Sequence, residues 1–173
     1  ISKIGNFCGE RTIRATNILP EEDEHTKNFV KQVCKFNDDT KLQVETYFTM
    51  QLGEHDLVNK SIHQDTDPIM AIVVYLTPNP EPASGTIFYT HKKTNWNGVN
   101  KDRVPEKAFM DMYPEKRQDQ NKFNFEIESI VGNVFNRIVL YDSKLLHAPG
   151  TCFGKNKEDC RLTQTSFIFK LAE

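Results

Sequence analysis

The chain has no run of apolar residues near the roughly 18 that a membrane-spanning helix needs; its longest, Ile69 to Leu76, has the length of a strand. It has no Cys-x-x-Cys pair. The four cysteines, Cys8, Cys34, Cys152 and Cys160, are scattered, which argues against a paired-cysteine zinc site or a disulfide-stapled scaffold and predicts reduced thiols in a cytoplasmic setting. It has no excess of charge of one sign: 22 Lys and Arg against 24 Asp and Glu leave a formal net charge of −2. That balance gives no electrostatic case for nucleic acid or an anionic membrane, and Lys92-Lys93 reads as a solvated turn. Internal repeats, low-complexity tracts and a signal-peptide pattern are also missing, and a start at Ile1 in place of methionine is expected of a trimmed or processed form.

What is present suits one folded domain over residues 1–173, with 38% hydrophobic and 27% charged side chains. Pro20 followed by Glu21, Glu22, Asp23 and Glu24, with apolar Phe29, Val30, Val33 and Phe36, predicts an amphipathic helix over 21–36 that Asn37-Asp38-Asp39 ends. Leu42, Val44, Thr46, Phe48 and Met50 alternate with mostly polar neighbours and predict a half-buried strand. Residues 69–76 are apolar at both parities, as in a strand covered on both faces, and Pro78 and Pro80 close it. A strand at 86–90 follows. Residues 91–122 form a polar insertion with a short helix opening at Pro105 and stopped before Pro114, the kind of segment that is usually a functional loop. Strands are then expected at 123–127, 137–141 and 162–171, with a turn at Ile130-Val131-Gly132-Asn133. Seven or eight short strands behind one or two helices predict a mostly β sandwich or jelly roll, with helical support over about 1–40 and a core over about 42–171.

The chemistry concentrates in His63-Gln64-Asp65, His147 and Arg161. On an extended strand residues i and i+2 share a face, so His63 and Asp65 can grip one ion together, with His147 completing the set from a distant strand. Two imidazoles and one carboxylate that leave other positions open are the ligand set of non-haem Fe(II) oxygenases. Asp67 shares the parity of Asp65 and is the alternative carboxylate, although its place before Pro68 suits a turn. Arg161, at the head of an apolar strand, can enter a pocket and hold a carboxylate with its planar fork, or pair with Glu158 or Asp159 at the surface. His91, Trp96 and Tyr89 lie where a substrate-facing loop could start, with a packing role for Trp96 as the alternative. His25 and His55 have no ligand-like company.

His63-x-Asp65, Val74-Tyr75-Leu76-Thr77, Ser84-Gly85-Thr86-Ile87-Phe88-Tyr89, Phe135-Asn136-Arg137-Ile138-Val139-Leu140-Tyr141 leading to His147, and Arg161-Leu162-Thr163 occur in that order. Together they resemble the Fe(II)/2-oxoglutarate-dependent dioxygenases on their prolyl-hydroxylase-like side, over residues 44–171. The resemblance implies a double-stranded β-helix, a cupin-like jelly roll, carrying Fe(II) on His63, Asp65 and His147. It implies 2-oxoglutarate as co-substrate with its distal carboxylate on Arg161, Tyr75 in the place of a tyrosine that contacts that carboxylate in some members, and Thr163 at the hydroxyl position of an Arg-x-Ser/Thr pattern. O2 and ascorbate come with it, as does hydroxylation of a C–H bond in a small-molecule or peptide substrate, a peptidyl or free amino acid such as proline being first in line. The presence of Asp65 argues against the related halogenating chemistry, in which the carboxylate position is vacant. The alternatives are a cupin-like metalloenzyme that does not use 2-oxoglutarate and a non-catalytic jelly-roll binding protein.

Overall fold

A computed structural model describes residues 10–11, 20–54, 61–100, 103–114 and 120–172; Cys8 and His55 lie outside them. In chain order the elements are β1 (Glu10–Arg11), α1 (Pro20–Cys34), β2 (Leu42–Gln51), β3 (Met70–Tyr75), β4 (Thr86–His91), α2 (Glu106–Met112), β5 (Phe125–Val131), β6 (Ile138–Asp142), β7 (His147–Pro149) and β8 (Arg161–Lys170). They form two antiparallel sheets, a five-stranded one in the order β1-β2-β8-β3-β6 and a three-stranded one in the order β5-β4-β7. This is the mostly β jelly roll expected from the sequence.

The sheets face each other across Ala71, Val73, Tyr75, Val139 and Tyr141 from the larger and Phe88 from the smaller. The opposite parity of β3 puts Ile72 with Leu42, Val44 and Ile168 under Val30 of α1. That two-sided cover is why the segment lacks polar alternation. On α1, Val30 is buried but Phe29 and Val33 are exposed, so the buried stripe is narrower than the expected apolar face. Asp23, one of its N-terminal acids, is buried and accepts a hydrogen bond from Thr46. The helix stops at Cys34 because Lys35 takes a left-handed conformation, φ 54°, two residues before the expected breaker.

Two further expectations are corrected. Ile130 and Val131 are not a turn: β5 runs through them, pairing Ile130 with Ile87 and Val131 with Thr86, and the chain leaves the sheet at Gly132. The 91–122 insertion, where described, packs as a third layer. Trp96, Ala108 and Met112 bury against Ile62, Phe125, Leu146 and Ala148 on the outer face of the small sheet, with Tyr89 beside them. His91 is also fully buried, its ring nitrogens facing Thr94 Oγ1 at 2.8 Å and Asp111 Oδ2 at 3.0 Å. His91 and Trp96 are therefore buried in this layer, as the packing alternative for Trp96 expected, because the apolar outer face of the small sheet has to be covered. Trp96→Ala is expected to destabilise the protein by about 3–5 kcal/mol, measurable by urea unfolding.

Candidate metal centre

The segment carrying His63 is not a regular strand. It is a short extended stretch that makes one antiparallel bridge to β7, between His63 and His147. His63 N–H donates to His147 O at 3.0 Å and His147 N–H to His63 O at 2.8 Å. Residues paired this way project their side chains to the same face, so the two histidines remote in sequence are direct cross-strand neighbours, with ring centroids 4.4 Å apart. Asp65, two residues on, returns to that face while its own N–H is held by Ser143 O at 2.8 Å. Its carboxylate lies 3.8 Å from His63 Nε2 and 3.5 Å from His147 Nε2, and one donor atom from each residue falls within 4.8 Å of the others. Asp67 is exposed in a bend and outside this group.

Both rings are oriented from behind in the same manner. His63 Nδ1 is 3.0 Å from Ser61 O and His147 Nδ1 is 2.8 Å from Leu145 O. A carbonyl only accepts, so each Nδ1 carries a hydrogen and each ring turns its Nε2 toward Asp65. Outer hydrogen bonds of this kind fix tautomer and ring orientation in metal-binding histidines. Burial first, and then the adjacent His63, push the His147 imidazole down to about 3, so it is neutral across the physiological range and releases no proton on ligation. Two imidazole nitrogens and one carboxylate, with one donor atom from each within reach of a common point, could hold a metal ion.

The same shift makes a prediction about stability. A histidine held neutral in the fold but free to protonate when unfolded contributes stability that is complete above about pH 6.5, is lost as pH falls, and stops changing below about pH 3. The denaturant midpoint of the metal-free protein is expected to drop between about pH 6.5 and about pH 4, and His147→Gln is expected to flatten this slope.

At the head of β8, Arg161 is buried and donates from Nε to Ser84 O at 2.5 Å, from Nη1 to Gln51 Oε1 at 2.5 Å and from Nη2 to Gly85 O at 3.3 Å. Asp159, a surface acid with which it could have paired, instead accepts from the N–H groups of Lys155 and Asn156. Tyr75 lies beneath the guanidinium, 5.9 Å from ring centroid to Cζ, with its hydroxyl 2.7 Å from Thr86 Oγ1. Thr163 is buried, with Thr49 and Tyr75 as its register partners on either side, and the Thr49 hydroxyl is buried without a hydrogen-bond partner. The result is an interior polar cluster built around a cation.

The sequence reading missed Tyr141. It packs edge-on against His147, ring centroids 5.0 Å apart, and against Phe88 at 5.2 Å. Burial first, then the Asp65 carboxylate and Tyr75, push its phenol upward, while Arg161 pulls the other way. Its ring therefore touches the histidine cluster, and its phenol is within electrostatic range of both Asp65 and Arg161. Its inward parity beside Val139 was the available signal.

The fold is shared with solved structures. HygX from Streptomyces hygroscopicus, solved with iron bound, superposes with a TM-score of 0.54 at 14% identity, covering 94% of this chain and 72% of HygX. Its form with nickel and 2-oxoglutarate bound gives 0.53 at 13% identity, covering 96% and 71%. IDO from Bacillus thuringiensis gives 0.48 at 8% identity; it covers 90% of this chain, which spans only 58% of IDO. The HygX superpositions and the two antiparallel sheets make the class a double-stranded β-helix, a jelly roll. No curated protein matches the chain. Over residues 14–168 the chain belongs to DUF6445, a family of unknown function.

Proposed function

We propose that this protein is a non-haem Fe(II)- and 2-oxoglutarate-dependent dioxygenase that hydroxylates an unactivated C–H bond. The observation that carries the reading is the cross-strand pairing of His63 with His147, which brings two Nε2 atoms and the Asp65 carboxylate to one point inside a barrel that also holds a buried arginine. HygX, which has the same fold, has been solved with iron and with nickel and 2-oxoglutarate.

In this reading His63, Asp65 and His147 hold the ion on one face, and the bound iron supplies oxygen-activating redox chemistry that side chains lack. Arg161 anchors the distal carboxylate of 2-oxoglutarate. A carboxylate entering this interior needs a charge partner and hydrogen bonds, and the guanidinium, the Thr163 hydroxyl and the unpartnered Thr49 hydroxyl are the groups able to supply them. Tyr75 lies under the guanidinium with its ring, and its hydroxyl, which can accept from Thr86 and still donate, is placed to contact the same carboxylate. Tyr141 and Phe88 give the His147 side of the site an aromatic flank. The substrate is a small molecule or a peptide, with a peptidyl or free amino acid such as proline as the first class to assay.

The test is turnover. Protein supplied with Fe(II), 2-oxoglutarate and O2 is expected to form succinate and carbon dioxide in equal amounts, faster when the right amino-acid or peptide substrate is added. Folded, iron-loaded protein that forms no succinate above the protein-free rate would contradict the reading.

A further inference from the structure

Gln120 sits at the end of the insertion, buried, and spends both halves of its side-chain amide on main chain. Its Oε1 accepts from Ile62 N–H at 2.7 Å, and its Nε2 donates to Ile62 O and Met112 O, both at 2.8 Å. The orientation of the amide is unambiguous, since two carbonyls face one end and an N–H faces the other. Successive residues of an extended chain point their N–H and C=O groups to opposite edges, so His63 uses one edge to pair with His147 and Ile62 turns to the other. Among the described residues no strand pairs with that edge of Ile62, and a side chain stands in for one. Met112 is the last residue of α2, so the same amide ties this helix to the segment carrying the first histidine.

The other histidine is held from the same layer. Leu146 N–H donates to Asn97 O at 2.8 Å, and Gly98 packs so closely that a Cβ there would lie 1.8 Å from Lys144 O, at a φ of +109° that favours glycine. Both ligand-bearing segments are therefore braced from outside the barrel, at Ile62 and at Leu146, each immediately before its histidine.

We propose that Gln120 is a positioning residue for the metal: by completing the backbone pairing of Ile62 it holds the His63 imidazole opposite His147, and it makes the insertion a clamp on the metal centre. This rests on the metal-binding reading above. Without the amide, the Ile62 N–H and C=O are buried with nothing to pair them, and the segment is free to twist away from β7.

The experiment is an anaerobic calorimetric titration with Fe(II) alone of wild type, Gln120→Ala, Gln120→Glu and, as a control elsewhere in the insertion, Arg103→Ala, with thermal unfolding and amide exchange measured on the metal-free proteins. Gln120→Glu preserves shape and the acceptor for Ile62 N–H but turns an oxygen toward the two carbonyls, so it serves if the alanine variant does not fold. Both Gln120 variants are expected to bind Fe(II) about 10- to 100-fold more weakly, with faster exchange at Ile62, and Arg103→Ala to bind as wild type. A purely structural role would lower the melting temperature and leave the affinity of the folded protein unchanged, and that result overturns the inference. Wild-type protein that binds no Fe(II) removes the metal-binding reading itself and this inference with it.

Discussion

Asp65→Ala is expected to weaken Fe(II) binding by more than about 100-fold and to abolish succinate formation, while the protein stays folded. Loss of a hydrogen-bond partner behind a ligand already costs about 10- to 100-fold in metal affinity, and Asp65 in this account is a ligand, the only charged one of the three. Two neutral imidazoles alone offer the ion no compensating negative charge. The stability cost is expected to be small, because the Asp65 side chain is partly exposed and its removal leaves no large interior cavity. Anaerobic titration and a melting curve check both halves. Unchanged Fe(II) affinity in this variant would move the carboxylate ligand elsewhere, with Asp67 the first candidate in sequence.

Arg161→Ala is expected to raise the KM for 2-oxoglutarate by about 100-fold, equivalent to about 3 kcal/mol of charge-assisted hydrogen bonding, and to leave Fe(II) affinity unchanged. The split follows from geometry: Arg161 lies at the head of β8, bonded to Ser84, Gly85 and Gln51, and is not among the residues grouped at the metal centre. Stability falls as well, by about 1–3 kcal/mol, because those acceptors lose a buried donor. Arg161→Lys separates the two effects. It keeps the charge but not the planar fork, so partial recovery of folding with a KM still well above wild type is expected. A cupin-like enzyme that does not use 2-oxoglutarate would show no change in 2-oxoglutarate binding on either substitution.

The elements with strong periodicity were legible in the sequence, each for a local reason. Proline and acids opened α1, alternation marked β2, and apolar residues at both parities marked β3 because α1 covers one face and the small sheet the other. Other features were hidden because they depend on tertiary pairing. His63 and Asp65 were read as one strand face, yet the segment owes its extended shape to His147 on one edge and Gln120 on the other. A side-chain amide replacing a strand has no periodicity. For the same reason the insertion read as a loop, although Trp96 and Met112 make it a packed layer, and Phe29 and Val33 read as buried although α1 turns them outward. Among site residues, His63, Asp65, His147, Arg161, Tyr75 and Thr163 stood out through their order in the chain. Tyr141 did not, because an aromatic residue at an inward strand position looks like ordinary core until its neighbours are known.

The most direct measurement of the central claim is an anaerobic spectral titration of the metal-free protein with Fe(II) and 2-oxoglutarate. The account predicts a visible charge-transfer band that saturates at one Fe(II) per chain, requires both components, and is absent in Asp65→Ala. Folded wild-type protein that shows neither the band nor saturable Fe(II) uptake would contradict it.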